Sequence, residues 1–197
     1  MANVKQSDRL VKDAHKQRSS GKYIFSTLDR EQITVAAFLN LFIAWEAFLE
    51  SSIAEFMIGK PTKRGKVPKR YVSPKNIDDA HEMVRGTNRY FDFSDPNRVQ
   101  KLVRLFFKNG YPYDPHFTSI NRELWELKTM RNWAAHITRN TQHNLELLAQ
   151  QIFSVPRVGI TLYELLTAID PASPDGNTVY AKYKTILMIV AELIARG

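Results

Sequence analysis

The sequence predicts an all-α fold, and three observations support this prediction. Apolar residues recur at steps of three and four in the stretch Leu124–His136, which is typical of one face of a helix. A second stretch, Ile33–Met57, is rich in apolar side chains and contains neither proline nor glycine. Alternating polar and apolar residues sufficient for a β-sheet are absent from the sequence. We therefore expect residues 1–197 to form a single helical domain, with segment 60–117 inserted as short helices and loops.

The first part of the chain is predicted to contain two helices. Residues 5–17 have a composition that favours a helix, and a stop signal follows at Gly21. Ser26 or Thr27 can cap the second helix, which continues through Ile33–Met57. The first half of that stretch is apolar on all sides, which predicts that the helix is covered from several directions. One bundle, or one bundle together with a second subunit, would provide such cover.

Glu46 is a carboxylate within this apolar helix. Burying a carboxylate is costly unless it is paired or hydrogen-bonded, so we expect Glu46 to have a specific partner. A purely structural salt bridge and a role beside a catalytic site are both compatible with its position.

A basic loop follows the long helix. Pro61, Gly65 and Pro68 exclude regular secondary structure in the stretch 60–70. The cations of this loop form a candidate arm for contacting phosphate groups, and a solvated loop without a ligand is the alternative. The candidate RNA-binding residues are Lys63, Arg64, Lys66, Lys69 and Arg70.

Short elements are predicted to fill the rest of the insertion, and helices the remainder of the chain. Ser73 caps a predicted helix Ile77–Arg85, and the aromatic stretch Asn88–Phe93 is expected to be extended. Asp95 caps a second short helix, and a loop leads from there to the helix at Leu124–His136. The helix capped by Asp95 is predicted to span Asn97–Lys108, and the further predicted helices are Thr141–Phe153, Leu162–Ile169 and Val179–Arg196.

The net charge narrows the range of partners. The formal charge is +8, from 28 lysines and arginines against 20 acidic residues, and the pI is near 9.7. This surplus favours polyanions, with nucleic acid as the first candidate and an anionic membrane as the second. A basic protein without a polyanionic ligand is the alternative.

The residue types present exclude several classes of site. The chain has no cysteine, which excludes disulfides, zinc–thiolate sites, iron–sulfur clusters and a cysteine nucleophile, and agrees with a reducing compartment. The histidines lack the spacings of a metal site, and no phosphate-binding loop motif occurs. We expect no metal and no cofactor. No secretory signal is evident, and charged residues interrupt the apolar runs, so we expect a cytoplasmic protein that does not span a membrane.

The candidate site lies late in the helix at Leu124–His136. Asn132 and His136 are four residues apart, so they lie on one face of a helix, and the long side chain of Arg131 can reach the same end. A permanent cation, an amide and an imidazole in such proximity can hold a phosphate group and move a proton.

The stretch Arg131–His136 resembles the R-N-x-x-x-H motif of the HEPN superfamily (higher eukaryotes and prokaryotes nucleotide-binding). The run Phe42–Leu49, with Glu46, is similar to the upstream helix of that superfamily, where an acidic residue often accompanies the motif. The resemblance covers residues 28–58 and 118–153. It does not account for the predicted insertion. One branch of the superfamily carries tyrosine two places after the histidine, where this chain has a threonine.

The resemblance implies a HEPN-like helical bundle that forms a homodimer, in which two copies of the motif meet at one cleft. It also implies a metal-independent endoribonuclease activity, in a toxin–antitoxin or phage-defence role, with RNA as substrate and an antitoxin protein as a possible partner.

The chemistry of the four residues fits such a reaction. RNA supplies its own 2′-hydroxyl as nucleophile, and His136 can take a proton from it or deliver one to the leaving oxygen. Arg131 offers a planar set of donors for the developing phosphorane, and Asn132 can orient the histidine or hold a non-bridging oxygen. Glu46 can fix the tautomer of the histidine or position Arg131. The products would carry a 2′,3′-cyclic phosphate and a 5′-hydroxyl.

Two other functions remain compatible with the sequence. A non-catalytic HEPN-like module would bind RNA, a nucleotide or a partner protein, and would use the same polar residues at a helix interface. A DNA-binding regulator would depend on the basic loop at 60–70.

Overall fold

The protein is helical, as its sequence predicts. A computed structural model describes the backbone of residues 2–197 and the side chains of residues 4–197. About two-thirds of the chain (64%) is helical, and the described residues contain only isolated β-bridges in place of strands. This confirms the all-α class. The α-helices in the described part are α1 (Ala2–Ala14), α2 (Thr27–Met57), α3 (Ile77–Arg85), α4 (Pro96–Phe106), α5 (Asp114–Ser119), α6 (Asn121–Ala135), α7 (Arg139–Phe153), α8 (Leu162–Thr167) and α9 (Val179–Arg196).

The chain divides into two compact units. The first unit consists of residues 1–44 and 126–185, and the second of residues 45–125 and 186–197. The division falls within helices α2, α6 and α9. The segment predicted as an insertion, 60–117, belongs to the second unit.

The core of the first unit is built from apolar positions at helical spacing. Leu127, Met130 and Trp133 are buried on α6, and they follow one another at steps of three. A polar pair is buried with them, since the Tyr183 hydroxyl donates a 2.6 Å hydrogen bond to Glu126. Further buried residues of this unit are Phe38, Leu41, Leu145, Leu148, Leu162, Leu165 and Leu166.

The core of the second unit is aromatic. Tyr113 is fully buried against the rings of Phe107 and Phe117, with ring centroids 5.8 and 6.4 Å away. Its hydroxyl donates a 3.0 Å hydrogen bond to Ser52, and burial raises the pKa of Tyr113 well above its ordinary value. By contrast, Tyr90 is exposed on the surface.

Helix α2 has an exposed face within the described chain. Ile43 is 59% exposed, and Ala36, Asn40 and Ala47 are exposed on the same face. Within the described chain the helix therefore buries one face and leaves the other open, so cover on the open face would have to come from a second subunit, the alternative that the sequence left open.

Helix α2 also has the length and hydropathy of a membrane-spanning helix. The most apolar window of Thr27–Met57 has a mean hydropathy of 1.6, and 39% of that window is buried within the structure. A core helix passes the same test, so the finding alone is weak evidence for a membrane span.

Several predicted element ends are shifted. Asn76, and not Ser73, caps α3, because its side chain accepts the backbone N–H of Asp79 at 2.9 Å. The stretch Asn88–Phe93 forms turns and bends and is not extended. The short helix α5 is unpredicted, because the prolines and glycine just before it indicated only a loop.

Candidate functional site

The predicted site lies at the C-terminal end of α6, in the first unit. Arg131 and Asn132 belong to the last turns of the helix, and His136 is the first residue beyond it. The backbone N–H of His136 still donates to the carbonyl oxygen of Asn132 at 3.0 Å, so the helical spacing between these two residues is kept. The prediction that His136 lies within the helix is therefore off by one residue.

The connection from α6 to α7 is short and hydrogen-bonded. Thr138 caps α7 through a reciprocal pair of bonds, in which its Oγ1 accepts from the Thr141 backbone at 3.2 Å and its own N–H donates to Thr141 Oγ1 at 2.9 Å. The Thr141 hydroxyl also donates a 2.6 Å hydrogen bond to the carbonyl oxygen of His136. These bonds fix the backbone at His136, and the sequence pattern did not predict them.

A buried residue inside the motif ties α6 to α7. Trp133 is 7% exposed, and its Nε1 donates a 2.8 Å hydrogen bond to Oε1 of Gln142. The amide of Gln142 in turn donates to the carbonyl oxygen of Ile160 at 3.0 Å and to Glu146 at 3.1 Å. The candidate residues on either side of Trp133 are thus held by an anchored helix end.

Glu146 holds the segment that follows α7. Its Oε1 accepts the backbone N–H of Gly159 at 2.8 Å. This bond, together with the bond from Gln142, lowers the pKa of Glu146 below its ordinary value. Glu146 therefore stays ionised, as an acceptor, at lower pH than an ordinary glutamate does.

The three predicted side chains are close in sequence and accessible, but they do not form a network. Arg131 and Asn132 are half-buried and His136 is exposed. Within residues 4–197, none of these side chains makes a hydrogen bond or ion pair with another protein group. Their donors and acceptors are therefore available to a ligand.

A cavity of about 600 Å³ opens beside the start of α7. Arg139, Asn140 and His143 line it, together with Gln142 and Glu146. Arg139 and His143 were not predicted as site residues, although their spacing of four places them on one helix face directly after the motif.

Glu46 belongs to the second unit, on the later part of α2. It is half-buried, so the expectation of a buried carboxylate is wrong for Glu46. It does interact with a neighbouring group. Among the described residues, Glu126 on α6 is a buried carboxylate that is 5% exposed and accepts a hydrogen bond from the hydroxyl of Tyr183. Its place in an amphipathic helix did not distinguish it from a surface residue.

The basic loop also belongs to the second unit, and it is irregular, as predicted. Lys63 forms an ion pair with Glu192, and its backbone N–H donates to Ala195 at 2.8 Å. Lys66 lies over the ring of Tyr111, with its Nζ 4.4 Å from the ring centroid. The remaining candidates are Arg64 and Lys69, which are exposed, and Arg70, which is half-buried.

Within the described part of the chain, no group of three or more histidine, cysteine, aspartate or glutamate side chains is placed to hold a metal ion. No protein-family model, curated protein or solved structure matches this chain. The resemblance to the HEPN superfamily therefore rests on the motif at Arg131–His136 and the helix around Glu46.

Proposed function

We propose that the protein is a metal-independent endoribonuclease, with Arg131 and His136 as its catalytic pair. One observation carries this proposal. A guanidinium, an amide and an imidazole lie within six residues at an anchored helix end, and none of them is committed to another group of the described chain. Groups that are accessible and uncommitted can all be directed at one phosphodiester.

The role of each side chain in the cleavage reaction follows from its chemistry. The 2′-hydroxyl of RNA attacks the adjacent phosphorus, and the 5′-oxygen of the next nucleotide leaves. His136 takes the hydroxyl proton or supplies one to the leaving oxygen, since an imidazole can exchange a proton near neutral pH. Arg131 donates hydrogen bonds to the non-bridging oxygens as negative charge builds on them. Asn132 holds either the substrate oxygen or the histidine.

The cavity beside α7 offers a place for the neighbouring nucleotide. Its first lining residue, Arg139, is three positions after His136 in the sequence. Arg139 and His143 supply donors for a phosphate or a base edge. Its volume of about 600 Å³ is within the range of small-ligand sites. These two residues would bind the substrate without taking part in the bond cleavage.

A non-catalytic HEPN-like module is the second candidate. The absence of a hydrogen bond between Arg131 and His136 in the described residues favours it, because catalytic partners are often in direct contact. Catalytic groups without substrate, however, are often too far apart to bond and approach only when substrate binds. We therefore place this candidate second.

The test is cleavage of total cellular RNA by the purified protein in the presence of EDTA. We expect wild type to leave 2′,3′-cyclic phosphate ends, and expect Arg131→Ala and His136→Ala to be inactive while remaining folded. Arg89→Ala and His81→Ala change the same residue types outside the site and should keep full activity. Equal cleavage by wild type and the Arg131→Ala, His136→Ala double variant would refute the proposal. No cleavage by folded wild type would favour the binding module.

The proposal extends to assembly and cellular role. We propose a homodimer that brings two copies of the site together, acting in the cytoplasm as a toxin or defence nuclease whose partner is an antitoxin protein. Sedimentation equilibrium would show a mass of twice 22.8 kDa if the dimer forms. Expression of wild type, but not of His136→Ala, should arrest growth. A monomer in solution at all concentrations would contradict the dimer.

A further inference from the structure

The second unit contains a basic cavity that the sequence did not predict as a single site. It has a volume of about 570 Å³, and its lining includes Lys69, Arg70, Tyr71 and Lys108. Lys69 and Arg70 end the basic loop and Tyr71 follows it, whereas Lys108 follows α4. Residues almost forty positions apart in the chain therefore form one wall.

Backbone hydrogen bonds hold this wall in place. The N–H of Tyr71 donates to the carbonyl oxygen of Phe106 at 2.8 Å, and the N–H of Lys108 donates to that of Lys69 at 2.9 Å. Between them, Arg70 and Phe107 form an isolated antiparallel bridge. Such pairing keeps two short backbone segments less than 6 Å apart, by the usual geometry of a ladder, and so holds the lysines that line the cavity near each other.

The positive charge of this cavity is uncompensated. Within residues 4–197, no carboxylate forms an ion pair with Lys69, Arg70 or Lys108. Other cations of the same unit do have acidic partners, as in the pairs Lys60–Glu55 and Arg104–Asp114. Three cations without an acidic partner at one concave surface concentrate positive potential and favour an anion.

Arg70 packs against the end of α2 beside the cavity. Its guanidinium lies against Gly59, where a Cβ atom would come within 2.9 Å of Nη2. Its Nε is buried and has no hydrogen-bond partner within the described chain. A buried donor without a partner is costly, and a guanidinium packed against the backbone loses less conformational freedom on binding a phosphate than a fully exposed one does.

Tyr71 adds a recognition element for bases. The side chain is 65% exposed, although it is large and aromatic, and it lies in the same wall as the two lysines. An exposed ring beside phosphate-binding cations is the arrangement that stacks a base while its backbone is held. The faces of bases in a duplex are covered by their neighbours, so a ring of this kind selects unpaired bases.

We propose that this cavity binds a nucleotide of single-stranded RNA, with Lys69, Arg70 and Lys108 on the phosphate and Tyr71 stacked on the base. The choice of RNA over other single strands rests on the proposed ribonuclease function. The cavity binds its nucleotide independently of cleavage, so the two proposals can fail separately.

The experiment measures binding of a labelled single-stranded 2′-O-methyl oligonucleotide by fluorescence anisotropy. This probe cannot be cut through its 2′-oxygen, so binding is read without cleavage. We expect Lys69→Gln, Lys108→Gln to weaken binding and to reduce the slope of log K against log salt by up to about 0.7, since the cavity holds one phosphate and each phosphate contact on a single strand contributes about 0.7. Lys22→Gln, Lys101→Gln removes the same charge from two exposed sites outside the cavity lining and should leave that slope unchanged.

The aromatic contribution has its own matched pair of variants. Tyr71→Leu should weaken binding by about fivefold or more, the loss expected for one stacked base. Tyr90 is 73% exposed and does not line the cavity, so Tyr90→Leu should bind as wild type does. A labelled duplex should bind more weakly than the single strand and should not respond to Tyr71→Leu.

Three outcomes would overturn the cavity proposal. The lysine double variant could bind as the control double variant does, Tyr71→Leu could bind as Tyr90→Leu does, or the duplex could bind as tightly as the single strand. If the cavity variants lose binding but wild type never cuts RNA, the cavity proposal stands and the ribonuclease proposal fails. If wild type cuts RNA while these variants bind normally, the ribonuclease proposal stands and the cavity proposal fails.

Discussion

The indole Nε1 of Trp133 donates a 2.8 Å hydrogen bond to Oε1 of Gln142, and this bond joins the helix that carries the candidate site to the helix that follows it. Trp133 lies between Asn132 and His136 in sequence, but its side chain is buried. The motif therefore combines a buried tryptophan with accessible polar side chains. The packing of the tryptophan determines where those side chains lie.

Loss of this bond should destabilise the first unit. We expect Gln142→Met to lower the free energy of unfolding by about 1–3 kcal/mol, because it leaves the buried indole N–H without an acceptor. Trp133→Phe combined with Gln142→Met should cost less than the sum of the two single changes, since the unsatisfied donor is then gone. Urea denaturation of wild type, the two single variants and the double variant measures the coupling free energy between the two side chains. Additive effects would show that the bond contributes nothing specific.

Residues of the cavity beside α7 should affect substrate binding more than the chemical step. We expect Arg139→Gln and His143→Asn to raise KM for RNA and to leave kcat nearly unchanged, because interactions made equally in the ground state and transition state change only KM. Steady-state cleavage of a fluorescent RNA measures both quantities. A fall in kcat with constant KM for either variant would assign that residue to the catalytic machinery.

Docking of α1 should weaken in acid. Lys184 donates a 2.6 Å hydrogen bond to Asp8, and both residues belong to the first unit. Partial burial raises the pKa of Asp8, but the bonds and charges of Lys184 and Lys12 outweigh it and hold the pKa below its ordinary value. A lowered folded pKa means that the contribution to stability is present above the unfolded pKa and is lost as pH falls through the folded pKa.

We therefore expect the difference in stability between wild type and Asp8→Asn to be constant near neutral pH and to shrink in acid below about pH 4. The effect should be small because Asp8 is partly exposed to solvent, which screens the interaction. Thermal unfolding over a series of pH values provides the comparison. A difference that grows in acid would contradict the assigned direction.

Gly59 should be needed both to end α2 and to seat Arg70. The N–H of Lys60 donates to Glu55 at 3.0 Å and that of Gly59 donates to Phe56 at 3.1 Å, the bond pattern of a helix that ends on a glycine. Gly59 has a φ of +90°, and a Cβ there would meet the Arg70 guanidinium.

Gly59→Ala should therefore destabilise the protein by more than the roughly 1 kcal/mol that a left-handed conformation costs a non-glycine residue. Gly65→Ala is the matched control, because Gly65 has a φ of +77° in the same loop with nothing within 4 Å of the added Cβ. Calorimetry measures how much stability each of the two variants loses relative to wild type. Equal losses would show that the contact with Arg70 is unimportant for folding.

Local sequence signals predicted most of the helices. The later helices were predicted well, because Thr161 can cap the start of α8 and a largely apolar stretch without proline or glycine marks α9. The exposed face of α2 was not predicted, since composition shows that a helix is apolar but not which of its faces meets another element. The burial of Glu126 in place of Glu46 was missed for the same reason.

The sequence by itself determined the all-α class, the polar motif at Arg131–His136 and the basic character of the loop at 60–70, because each depends on residues that are close together in the chain. Only the tertiary structure decided that Gln142 anchors Trp133 and that Lys108 joins Lys69, Arg70 and Tyr71 in one cavity. Those relationships depend on how the chain packs between distant positions, and the packing arises from the sum of many weak contacts that no local pattern encodes.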